Sequence, residues 1–288
     1  MRPPSAEQPP GVPAVTGPEA SDLMPPLNAL DSRAVLRYLI ALWDSQTLRG
    51  SVPIRDTHLE AGMSVWSLTF HAVDCARGVL TLYEAGQPIP AVPIVRVMLE
   101  DAVTAGWLSV FPDKHRALLK DGINQRKKLY RDLLDRDGVQ EFAAEQLAEA
   151  EALAEHLRDA GGYVLEQRMR DLEGSDGLYT QYRLLTGQSH AGVGVVDMYV
   201  SSDDQSPVGF SLDRFGSLPG ASGIIGIAAS MLLLAMIAWD CTRTERIWER
   251  ELTELANRRG TTTEWAPEPS TQLPNQSDNI NDVNLDPC

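Results

Sequence analysis

Arg183, His190 and Asp197 recur every seven residues within YTQYRLLTGQSHAGVGVVDMY, residues 179–199. On a helix of 3.6 residues per turn, that spacing keeps successive members within about 20° of one another. A fixed cation, an imidazole and a carboxylate therefore share one stripe, and imidazole is the side chain that titrates nearest neutral pH. Gly187 and Gly194 lie on the same stripe. A glycine inside a helix costs roughly 1 kcal/mol relative to alanine, so a second helix or a ligand is expected to approach closely there. The plainer alternative is a polar stripe whose hydrogen bonds are satisfied by neighbouring helices.

Other polar groups stand in apolar surroundings. Arg96 and Glu100 are an i,i+4 pair within PIVRVMLEDAVTAGWL; charges so placed are expensive unless paired. They form either a structural ion pair or a pair that orients a polar group such as His190. His71 and Asp74 sit at i,i+3 near Cys75, half of a metal site at most, and a helix-face interaction is the ordinary reading of that spacing. No metal site and no cofactor is expected. The basic run from His115 to Arg136 is interspersed with Asp113, Asp121, Asp132 and Asp135, which marks a solvated helix face.

The elements that must position these groups are helical. Aromatic content is 6%, and the middle of the chain is dominated by Ala, Leu and Glu, a helix-forming composition. Periodicity and breakers predict a short helix from Asp31 or Ser32, long helices over 56–84 and 91–110, a helical hairpin over 112–160, a helix over 179–199 and a final helix over 217–258. The polar stretch between the last two reads as a loop with room for a short hairpin. The fold class is thus all-α: a bundle of four long core helices with an added hairpin, folded over residues 30–259. Residues 1–29, rich in proline, and the acidic segment 260–288 have the composition of disordered tails.

Residues 221–239 carry no charge, enough length to span a membrane. Their Ala, Gly and Ser content and the charged sequence that follows favour a buried central helix, so membrane attachment is the lesser alternative. The net charge of -15 argues against a general nucleic-acid-coating surface, and DNA is not expected as a partner. Three scattered cysteines indicate neither a disulfide framework nor a thiolate zinc site. With no signal-peptide pattern, a reducing cytoplasm is expected. No phosphate-binding glycine loop, GxSxG elbow, HExxH motif or paired-cysteine pattern occurs.

Arg183 followed by LLTGQS and His190 resembles the R-x4-6-H motif of HEPN domains, helical bundles of which many are RNases of bacterial toxin–antitoxin and other defence systems. The chain is also similar to a group of uncharacterised bacterial proteins thought to be HEPN-like. In these an R-x3-E helix, matched by Arg96 and Glu100, precedes a helix bearing Tyr, Ser or Thr, and His at four-residue intervals, matched by Tyr182, Thr186 and His190. The resemblance covers roughly residues 55–258. It implies metal-independent RNA cleavage in which His190 moves the proton and Arg183 holds the phosphate. Arg96, Glu100, Tyr182, Thr186 and Asp197 would support them, within a homodimer that brings two such motifs together. A protein partner or antitoxin fits the same picture. The alternative is a catalytically silent helical module that binds a partner protein, its polar stripe serving only as internal packing.

Overall fold

The computed structural model describes residues 31–45, 54–55, 59–161 and 163–269. The expected tail over 1–29 and the end of the expected acidic tail, Cys288 included, lie outside the described residues. Ten helices and one hairpin are present among these residues: α1 (Ser32–Asp44), α2 (Leu59–Glu84), α3 (Ala91–Val110), α4 (His115–Leu134), α5 (Gln140–His156), α6 (Leu165–Arg170), α7 (Asp176–Ser189), α8 (Val193–Val196), strands β1 (Val200–Ser202) and β2 (Phe210–Leu212), α9 (Ala221–Thr242) and α10 (Glu249–Arg259). The all-α class agrees with expectation.

The core is built around α9. Apolar groups face every direction on this helix, and such a helix is stable in water only when other helices enclose it. α1, α2, α3 and α10 all pack against it, and from Met231 to Thr242 every residue is buried. Among the described residues it is the one helix long and apolar enough to cross a membrane, and 67% of its most apolar window is buried inside the fold. That burial is what a core helix shows. The predicted single helix over 217–258 is in fact two. Asp240, fully buried, accepts the backbone N–H of Trp248 at 3.2 Å; this side-chain bond stabilises the turn between α9 and α10. Arg259 then reaches back to the Gly226 carbonyl and Ser230 Oγ, at 2.9 and 3.1 Å.

α1 starts where Asp31 caps it, its side chain accepting the N–H of Arg33 at 3.0 Å, as a short acidic N-cap should. The hairpin of α4 and α5 protrudes, with Ala117, Ile123, Ala143 and Ala150 its buried residues. Its basic run is largely exposed, in keeping with a solvated face.

Two features hold the segment that leads into α7. The first is α6, a helix the sequence did not announce. Its Arg168 donates to Asp121 Oδ2 at 2.9 Å and Thr104 Oγ1 at 3.2 Å and lies 5.6 Å from the centre of the Trp107 ring. Burial lowers the guanidinium pKa, with Asp121 opposing. Arg168→Ala is expected to reduce stability by roughly 2 kcal/mol in urea unfolding, the loss of charge-assisted hydrogen bonds on a half-buried group. A change within experimental error would mean that α6 is held by its apolar contacts through Met169 and Leu165.

The second feature moves a boundary. The segment expected to begin a tail at 260 continues the fold to residue 269. Trp265 is 3% exposed and donates its Nε1–H to the Leu234 carbonyl at 3.0 Å. Beside it, the Glu173 N–H donates to the Ala266 carbonyl and the Glu268 N–H to the Asp171 carbonyl, at 2.9 and 2.8 Å. The polar composition that suggested disorder hid one tryptophan with a place to go.

Candidate functional site

α7 is anchored by Leu185, fully buried, with Leu178, Tyr179 and Tyr182 partly buried against the core. Asp176 in its first turn suits the positive end of the helix dipole. The predicted continuous helix over 179–199 ends at Ser189. His190 is its C-cap in an extended conformation, and the chain turns through Gly192 into the single turn of α8. Asp197, the third member of the stripe, caps the far end of α8 and is exposed; it is not on the line of Arg183 and His190. The cause lies in the two glycines. The backbone of Gly194 rests against the Gly187 carbonyl, and a Cβ on Gly194 would collide with it. The close neighbour that the glycines admit is the chain itself.

Arg96 on α3 is the hub of the polar groups. Its Nη1–H donates to His190 Nε2 at 2.8 Å, Nη2 lies 3.5 Å from the Tyr182 hydroxyl and 2.9 Å from Glu100 Oε1, and its guanidinium stands 5.4 Å from the Tyr182 ring centre. A guanidinium only donates, so Nε2 must accept, and a neutral ring bonded in this way carries its proton on Nδ1. The geometry therefore sets the tautomer of His190 while leaving the residue exposed. Arg96, Glu100, Tyr182 and His190 are brought together from two helices far apart in sequence.

Arg183 stands one step around α7, exposed, its Nη1 3.4 Å from the Tyr179 hydroxyl. It lines a cleft of about 510 Å³ between α6 and α7, together with Leu165, Glu166, Tyr182, Thr186 and Gly187. Thr186 Oγ1 is buried and makes no hydrogen bond. Tyr182 belongs to both groups, so it links the cleft that holds Arg183 to the hub that holds His190. The arrangement offers an anion-binding cation, a hydroxyl and an oriented imidazole on one side of the bundle.

A second cluster lies between α2 and α3. His71 Nδ1 is 2.8 Å from Asp101 Oδ2, and Cys75 Sγ is 3.8 Å from His71 Nε2. The pairing of His71 with Asp74 expected from spacing does not form; Asp74 takes Arg77 at 2.5 Å instead. Asp101 is 6% exposed. Burial pushes its carboxyl up to about 6, His71 opposing and Glu100 assisting. Burial likewise pushes the Cys75 thiol up to about 11, with Asp101 and Asp74 adding to it. Sequence reasoning missed Asp101, although a carboxylate followed by AVTAGWL is itself a signal that something must pair with it.

Residues 65–207 match the model of a family of unknown function (DUF5677). The matched span holds Arg96, Glu100, Tyr182, Arg183, Thr186 and His190, and the second cluster as well. No curated protein and no solved structure matches the chain.

Proposed function

We propose that this protein is a HEPN-like RNA-binding protein and metal-independent endoribonuclease of a bacterial defence or toxin–antitoxin system. The observation that carries the reading is the convergence of Arg96, Tyr182 and His190 next to the cleft lined by Arg183. RNA would lie along this cleft with a phosphate on Arg183, a group suited to bidentate phosphate contact. His190 moves the proton: the ribose 2'-hydroxyl loses its proton, its oxygen attacks phosphorus, and the 5'-oxygen leaves with a proton. A 2',3'-cyclic phosphate and a 5'-hydroxyl result. For Nε2 to accept that proton, Arg96 must release it and turn to the phosphate, where its charge stabilises the transition state. Two copies of the site would meet in a homodimer, which concentrates positive charge locally on an acidic chain.

One observation favours the rival, a silent module that binds a partner protein: Arg96 already occupies the Nε2 lone pair, as a purely structural hydrogen bond would. Cleavage of a pool of structured RNAs in EDTA separates the two. Wild type is expected to cut, leaving cyclic phosphate ends, and His190→Ala and Arg183→Ala, with unchanged helicity and oligomeric state, are expected to be inactive. Failure of the wild type to cut or bind RNA, together with loss of folding in both variants, would assign these residues to packing.

A further inference from the structure

The cluster between α2 and α3 lies outside the cleft lined by Arg183, and its geometry is that of a ligand set. We infer that His71 and Cys75 bind a divalent ion of borderline softness, Zn²⁺ foremost, with Asp101 holding the imidazole in place. The site does not depend on the proposed nuclease activity.

Two distances carry this. His71 Nε2 and Cys75 Sγ are 3.8 Å apart. A tetrahedral zinc ion with Zn–S of about 2.3 Å and Zn–N of about 2.0 Å keeps two such ligands roughly 3.6 Å apart, so the ion fits between them after a small side-chain adjustment. On the other side of the ring, Nδ1 is 2.8 Å from Asp101 Oδ2. A carboxylate there takes the proton-bearing nitrogen and leaves the Nε2 lone pair facing the thiol, the arrangement in which metal-binding histidines are commonly oriented. One ligand atom from each of the three residues lies within 4.8 Å of the others.

The scaffold suits the task. His71 and Cys75 are one turn apart on a helix of 26 residues, so their separation is fixed before any ion arrives. Asp101 is supplied by a different helix and is held at 6% exposure, whereas the His71 side chain is 58% exposed and leaves the outer coordination positions open to water. Thiolate and imidazole together select zinc, cobalt and nickel over magnesium and calcium. As the sulfur–metal bond forms, the Cys75 thiol gives its proton to solvent, so one proton appears in the buffer for each ion bound.

The test uses the full chain, stripped with EDTA and then freed of it. Zn²⁺ is titrated in competition with a chromophoric chelator, and Co²⁺ is titrated while near-ultraviolet absorption is followed. One ion per chain and a thiolate-to-cobalt charge-transfer band are expected. The band should vanish in Cys75→Ser, and Zn²⁺ binding should be lost in His71→Gln. Affinity should fall by about 10- to 100-fold in Asp101→Asn, the usual effect of removing a partner behind a metal ligand. Cys288→Ser should bind as wild type does. Melting of each variant in EDTA establishes that it is folded. Absence of binding by the wild type, binding unchanged in Cys75→Ser or His71→Gln, or a band that follows Cys288 instead would each overturn the assignment; unchanged affinity in Asp101→Asn would remove Asp101 from it.

Discussion

Trp265→Ala is expected to destabilise the protein by about 3–5 kcal/mol, the range for emptying a large aromatic site in a core. The ring is 3% exposed and sits between α3 and α9, bonded through Nε1 to the Leu234 carbonyl. On the α3 side, an added Cβ at Gly106 would lie within 2.8 Å of three ring atoms. Gly106→Ala alone should therefore cost about 1–3 kcal/mol as the ring is displaced. In the Trp265→Ala background the sign should reverse. With the ring gone, the three atoms that the new methyl would strike are removed, and alanine brings its better helix propensity, up to about 1 kcal/mol in favour. Urea unfolding of the four proteins measures the coupling directly. Additive effects would show that the ring is not seated on Gly106. Since residues next to Trp265 hydrogen-bond to Asp171 and Glu173 just ahead of α7, hydrogen exchange in α7 should also quicken when the ring is removed.

The second large effect concerns pH. Burial raises the Asp101 carboxyl to about 6 from an ordinary 3.8. A carboxyl raised on folding contributes its full stability below the unfolded value, where both states are protonated, and loses it as pH rises through the folded value. Ionised Asp101 thus weighs against the fold above about pH 6. Asp101→Asn, which can still accept from His71 Nδ1–H, is expected to gain roughly 2–3 kcal/mol over wild type at pH 8, with the gain shrinking between about pH 6 and 3.8. Urea midpoints across pH in EDTA check this; a pH-independent difference, or one of opposite sign, would contradict it. Because Asp101 is the second contributor to the raised thiol at Cys75, alkylation of Cys75 at a fixed pH should also be faster in the variant.

Both effects rest on contacts that were hard to see in the sequence. α3 was legible to the residue because an apolar run lies between Pro90 and Pro112 and has no other way to be buried. The Arg96–Glu100 pair was legible for the same reason, as an i,i+4 pair in an apolar setting. His190 is marked by its seven-residue spacing from Arg183 and Tyr182 by the family resemblance, but only packing of α7 on α3 brings them to Arg96. Helical periodicity ran on through His190 to Tyr199 and gave no sign of the break, since the Gly187–Gly194 contact that favours folding back is a tertiary one. Spacing pairs His71 with Asp74 because it ranks only neighbours on the same helix; its partner, Asp101, is on the next. Trp265 was lost in a polar segment because composition averages over residues, and one buried indole can outweigh several exposed polar groups.

The position of α9 near the end of the chain has a bearing on how the protein is made. α1, α2 and α3 all bury their apolar faces on a helix that ends at Thr242. At synthesis rates of about 5–20 residues per second, roughly ten seconds separate completion of α3 from completion of α9. During that interval α2 and α3 can pair with each other, as their extensive mutual contact allows, but the surface reserved for α9 stays open to solvent. The core closes only when α9 arrives, so a nascent chain halted before Thr242 presents a helical pair with an open apolar face.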